Sequence, residues 1–249
     1  MSRSVSRHLR LIFLFCVIAT APAPPLFADA SQSEVERLSA LVFPGSVNVL
    51  MKWPDAVRFA IATDNDQDAA LAVNVIADIV DALPGRFRSS IVIERRVPLT
   101  DVPLIRERSL IYMTAQPYDD LNGPLRPFFE TLITNGDDID QRIEQVRSLR
   151  APWQTTFGTN GRYEVVGVLV MIPSSTDLDT KRLMLVGAVA QAICPAQLLL
   201  QSDPGLFASD GEKIALSPLG RDLFILMLSD EVKAGMSKPE FEAIARRLL

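Results

Sequence analysis

Carboxylates, amines, hydroxyls and a thiol must carry whatever chemistry this chain does, because its 249 residues include one histidine, His8, in the first ten. The cysteines are Cys16 and Cys194. A nucleophilic thiol normally needs a neighbouring base or cation to form thiolate. Cys194 stands in the apolar stretch Ala192-Ile193-Cys194 and reads as a buried packing residue. A serine–lysine pair needs no histidine, since a lysine of depressed pKa can act as base. Ser209 and Lys213 are loop candidates, although Glu212 beside Lys213 fits an ordinary solvated turn. Paired carboxylates of the kind used in glycoside hydrolysis stay open in a chain this rich in acids.

Two acidic runs carry oxygen ligands at spacings that could suit a metal. Asp64-Asn65-Asp66-Gln67-Asp68 alternates acids as a calcium loop does at its start. Such a loop requires glycine at its sixth position and glutamate at its twelfth, where Ala69 and Val75 stand. Acids at a helix N-terminus account for the run without a metal. The Asp137-Asp138-Asp140 cluster reads the same way. No glycine-rich phosphate cradle is present, so no cofactor is expected. Trp53 and Trp153 flank turns and read as packing residues.

The elements that would position these groups follow from periodicity. Ser33 with Glu36 forms a capping box for a short helix ending near Leu41. Alternation predicts a strand from Val57 to Ile61, with further strands at Ile91 to Ile93 and Leu110 to Met113. Ala70, Val73, Ile76, Ile79 and Val80 make the stripe of an amphipathic helix, stopped by Leu83-Pro84-Gly85. Helices are predicted around 128–132 and 138–149, followed by a Pro/Gly/Thr-rich loop with the hairpin signal Asn160-Gly161. The nearly all-apolar 165–172 reads as a central strand covered on both faces. The stretch 178–201 reads as a long buried helix kinked at Pro195. Two C-terminal helices open at Ser217-Pro218 and at the capping box Ser237 with Glu240. The expected fold is α/β (α+β), a mixed twisted sheet of about four strands with packed helices.

The first 30 residues read as a secretory signal. Arg3, Arg7 and Arg10 precede an apolar run too short to span a bilayer, and Ala28-Asp29-Ala30 supplies small residues for cleavage. Removing it leaves 219 residues with 22 basic and 29 acidic side chains, a net charge of −7, without histidine and with Cys194 as the single cysteine. That excludes His-ligated zinc peptidases, His-dependent hydrolases and an internal disulfide framework. The acidic balance argues against nucleic acid and anionic membrane as partners. The expected organisation is a signal peptide at 1–30, a helix and linker at 31–49 and one domain at 50–249. The expected location is periplasmic or secreted, without stable membrane insertion.

Cys194-Pro195-Ala196-Gln197 running to Gln201, Leu216-Ser217-Pro218-Leu219, the stretch 223–228 and Ala234-Gly235-Met236-Ser237 resemble the domain-of-unknown-function 2927 family of exported proteobacterial proteins. Lys52-Trp53-Pro54 before the first strand is similar to the start of that domain. The family in turn resembles a zincin-type peptidase scaffold, whose metal-binding helix follows a strand lining the substrate. The resemblance implies that the helix 178–201 holds the place of the metal site. Two histidines one turn apart would be needed there. Ala188, Gln191, Ala192, Cys194 and Gln197 stand instead, and Gln197 and Gly220 replace acids that the resemblance would lead one to expect. The implied remnant-site helix carries Gln191, Cys194, Gln197 and Gln201, with no catalytic, metal or cofactor residue assigned. The resulting expectation is a non-catalytic protein on a degenerate zincin-like scaffold, binding a protein or peptide of the cell envelope. The alternative is a metal-independent hydrolase of envelope peptide or glycan using carboxylates or a Ser–Lys pair.

Overall fold

The computed structural model describes residues 30–43, 45, 47–104, 108–133, 138–148, 153–195, 206–209 and 214–249. Its elements in chain order are α1 (Ala30–Val42), β1 (Val57–Ala62), α2 (Asp66–Ala82), β2 (Ile91–Val97), β3 (Ser109–Thr114), α3 (Arg126–Leu132), α4 (Ile139–Ser148), β4 (Gln154–Thr159), β5 (Val165–Pro173), α5 (Leu178–Ile193), β6 (Phe207–Ser209), β7 (Ile214–Leu216), α6 (Pro218–Leu228) and α7 (Lys238–Leu248). The α/β class follows directly. The main sheet runs β2-β1-β3-β5-β4, and β6 with β7 forms a separate two-stranded ribbon. Four strands are parallel; β4 lies antiparallel to β5.

Strand sequence reflects burial on both faces. Phe59, Ile61, Ile111, Met113, Val168 and Val170 point to one side, into a core completed by α1, α2, α5, α6 and α7. Their neighbours Ala60, Ala62, Leu110, Tyr112, Leu169 and Met171 point to the other, under α3 and α4. Among the described residues no helix is long and apolar enough to cross a membrane.

The sheet has five strands rather than about four. Gln154–Thr159, inside the stretch expected to be a loop, is an edge strand joined to β5 through a turn containing Asn160-Gly161. Its polar threonines and lone phenylalanine give little strand periodicity; pairing with β5 creates it. Gly158 sits opposite Gly167 in the register. A Cβ on Gly158 would lie 2.6 Å from the carbonyl oxygen of Leu132, and one on Gly167 would meet the Leu132 side chain at 2.5 Å. The glycine pair is thus the seat for the end of α3.

Helix α5 ends at Ile193, well before Gln201 and without a proline kink. Pro195 disfavours helical backbone at the residue before it, and Cys194 is extended (φ −111°, ψ 92°). Helix α1 begins at Ala30, ahead of Ser33, so Ser33 is not its cap. The C-terminal helix starts are as expected. Ser217 Oγ accepts from Gly220 N at 3.1 Å, and Glu240 accepts from Ser237 N and Oγ at 2.8 and 2.7 Å. Those bonds hold the Glu240 carboxyl below its ordinary range.

Candidate functional site

Helix α5 is the element in which a scaffold of the expected type would keep its chemistry. Asp177 caps it, accepting from Thr180 N at 2.9 Å, and those hydrogen bonds lower the Asp177 pKa. Its C-terminal half is closed: Ala188, Ala192 and Cys194 are fully buried, while Gln191 is half-buried in the last turn. Ala188 and Ala192 occupy the i and i+4 positions of one face and carry no ligating atom. Gln197 and Gln201 lie outside the described residues; of the implied remnant set, Gln191 is in the last turn of α5 and Cys194 is its C-cap. Among the described residues no group of three or more His, Cys, Asp or Glu side chains is placed to hold a metal ion. Burial raises the Cys194 thiol far above its ordinary pKa, with Lys52 opposing weakly, so no thiolate forms at neutral pH.

The end of α5 is held by the segment that precedes β1. Trp53 Nε1 donates to the Ala192 carbonyl at 2.7 Å, satisfying one of the carbonyls a helix C-terminus leaves open. Lys52 N donates to Tyr163 O at 3.2 Å and Val165 N to Lys52 O at 2.8 Å, which ties the segment to the β4–β5 turn. Leu50 N donates to Met236 O at 2.9 Å and Gly235 N to Leu50 O at 2.8 Å. Lys52 Nζ donates to the Ser229 and Val232 carbonyls at 2.5 and 2.6 Å, at the end of α6. Burial lowers the Lys52 amine from 10.5 to about 8; Lys233 adds to the shift, while Asp230 and Cys194 oppose it. The Lys-Trp-Pro, Cys-Pro and Gly-Met-Ser segments, distant in sequence, therefore meet at one junction. Gly220 has a packing reason as well: a Cβ there would lie 2.2 Å from the Leu206 carbonyl oxygen.

The acidic runs are used internally. Asn65, one residue into the first run, is the N-cap of α2, accepting from Gln67 N at 2.8 Å and Asp68 N at 3.3 Å. Asp64 accepts from Leu99 N at 3.2 Å. Asp68 turns inward to Lys181 of α5, at 2.5 Å, with the two side chains 1% and 6% exposed. Asp138 caps α4, accepting from Asp140 N at 2.9 Å; Asp140 pairs with Arg126 at 2.7 Å; Asp137 lies outside the described residues. Of the Ser–Lys candidates, Ser209 ends β6 and Lys213 lies outside the described residues. Local pattern gives no sign of the buried Lys181–Asp68 pair, because Lys181 stands in the polar run Asp179-Thr180-Lys181-Arg182 that opens α5.

The two sheet edges differ in kind. Strand β2 carries Glu94, Arg95 and Arg96, all exposed, and its register with β1 breaks between Phe59/Ile93 and Ala60/Arg95, leaving Glu94 as a bulge. Charges and a bulge are devices that block strand addition. Strand β4 has no charged residue and keeps continuous register with β5 from Gln154 to Gly158. Among the described residues its partner is β5 alone. The hydroxyls of Thr155 and Thr156, on opposite faces, are buried and without hydrogen-bond partners among the described residues. An uncharged edge strand is the kind that strand addition by an extended chain can use.

No family model matches this chain, and the searches of curated proteins and of solved structures return no match.

Proposed function

We propose that this is an exported, non-catalytic protein of the cell envelope, built on a degenerate zincin-like scaffold, that binds an extended peptide or protein segment along β4. The carrying observation is the asymmetry of the sheet edges: β2 carries charges and a bulge in its middle, whereas β4 is uncharged and its one register shift with β5 falls at its end, between Gly158 and Thr159. Strand addition at such an edge draws affinity from main-chain hydrogen bonds and selectivity from alternate side chains. Helix α5 directly after β5 supports the zincin-like reading, as does the convergence of the segments that resemble the domain-of-unknown-function 2927 family. Ala188 and Ala192, in place of ligands, support a binding rather than a hydrolytic role. The arginines and the signal-like run of residues 1–30 support export.

The test is a selection of displayed peptides on the purified protein, followed by hydrogen exchange of the complex. Selected peptides should be strand-forming, and they should slow exchange at the amides of Thr155 to Gly158. Protection confined to other elements refutes binding along β4. Stoichiometric zinc retained through chelation refutes the non-catalytic scaffold.

A further inference from the structure

A second feature lies where the parallel strands β3 and β5 end, beyond the Gln154–Met171 pair at which β4 begins. A cleft of about 680 Å³ opens there, lined by residues 115–119 after β3, by Glu144, Arg147 and Ser148 in the last turns of α4, and by Pro173 closing β5. That volume is of the size that holds small molecules, and the carboxyl ends of parallel strands are where open α/β sheets place them.

The charges on its wall restrict the ligand. Arg147 stands between two carboxylates, Asp119 at 3.3 Å and Glu144 at 3.7 Å. Arg147 is 38% exposed and the two acids 60% and 73%. Long, solvated pairs of this kind contribute little to stability, so each group can exchange its partner for a ligand at small cost. A purely anionic ligand would meet Arg147 but also two carboxylates. A purely cationic one would meet the carboxylates but compete with Arg147. A molecule carrying both an ammonium and a carboxylate satisfies all three groups. Ala115, Pro117 and Pro173 supply apolar wall for its body. Burial lifts the Tyr118 phenol to about 12, so its hydroxyl stays protonated at neutral pH.

We propose that this cleft binds a small zwitterion of the amino-acid or short-peptide class, its carboxylate on Arg147 and its ammonium on Glu144 and Asp119. The inference does not rest on strand addition at β4, because none of the lining residues belongs to that strand.

Calorimetric titration of the full protein with alanyl-alanine, N-acetyl-alanyl-alanine and alanyl-alanine amide tests it. Only the free dipeptide should bind appreciably, and each blocked form should be weaker by about tenfold or more, as loss of a charge-assisted hydrogen bond implies. Arg147→Gln and Glu144→Gln should each weaken the free dipeptide comparably while circular dichroism and thermal midpoint stay unchanged. Equal binding of the amide would show a site for cations alone, equal binding of the acetylated form a site for anions alone; either overturns the proposal. So does an absence of heat at millimolar dipeptide, or binding that neither substitution alters.

Discussion

Removing one partner of the Lys181–Asp68 pair should be among the most damaging single changes to this protein. The pair joins the first turns of α2 and α5, with side chains 6% and 1% exposed, and Asp68 Oδ2 has no further partner among the described residues. Asp68→Ala leaves a buried ammonium without its counter-ion, and Lys181→Met leaves a buried carboxylate. Breaking such a pair from either side costs about 3–5 kcal/mol, because the surviving charge keeps its desolvation penalty and loses the compensating attraction. For a chain of this size that lowers the thermal midpoint by roughly 6–20 °C. The double replacement Asp68→Leu/Lys181→Met removes both penalties together and should be near neutral, or more stable by about 1–4 kcal/mol. Urea unfolding followed by circular dichroism on wild type, both singles and the double closes the cycle. Single losses below about 1 kcal/mol would refute the assignment of a buried, mutually dependent pair. A double variant as unstable as the sum of the singles would refute it equally, since the coupling would then be zero.

Lys52 should titrate near pH 8 in the folded protein, measured by NMR of ¹³Cε-labelled lysine. Its folded pKa lies below the ordinary 10.5, so the unfolded chain binds more protons between those values. The Lys52 contribution to stability is therefore absent below about pH 8 and gained as pH rises toward 10.5; Lys52→Met should abolish this difference between urea midpoints at pH 7.5 and 10. Gly158→Ala should lower stability by about 1–3 kcal/mol in the same unfolding assay, because its methyl group would collide with the backbone of Leu132. Cys194 should resist a thiol-specific disulfide reagent at pH 8 in the native protein and react promptly in 6 M guanidinium; rapid native labelling would contradict its burial.

Some of the site's logic was open to reading in one dimension because it depends on local patterns. The Ser217-Pro218 start and the Ser237–Glu240 capping box are short-range hydrogen-bond devices, and both occur where the sequence puts them. The apolar run 165–172 declares a doubly covered strand because both of its faces need cores. Strand β4 gave no comparable signal, since Gln154, Thr155 and Thr156 gain their place from pairing with β5 and from the space that Gly158 leaves for α3. Periodicity extended α5 too far, because Leu198 to Leu200 continue its apolar character while the backbone restriction imposed by Pro195 acts on Cys194.

If the proposed export removes residues 1–30, and His8 with them, composition alone closes imidazole chemistry, because folding cannot supply a side chain that the remaining residues lack. Local spacing determined the α/β class and most helix starts. Tertiary structure decided what no spacing encodes. It set Asp68 against Lys181 across 113 positions and joined Lys52 and Trp53 to the ends of α5 and α6. It also left one sheet edge charged and the other without a charged residue. The physical reason is the same in each case. Ion pairs, carbonyl caps and strand edges are defined by which segments meet, and that is fixed only when the apolar faces of the whole chain are buried together.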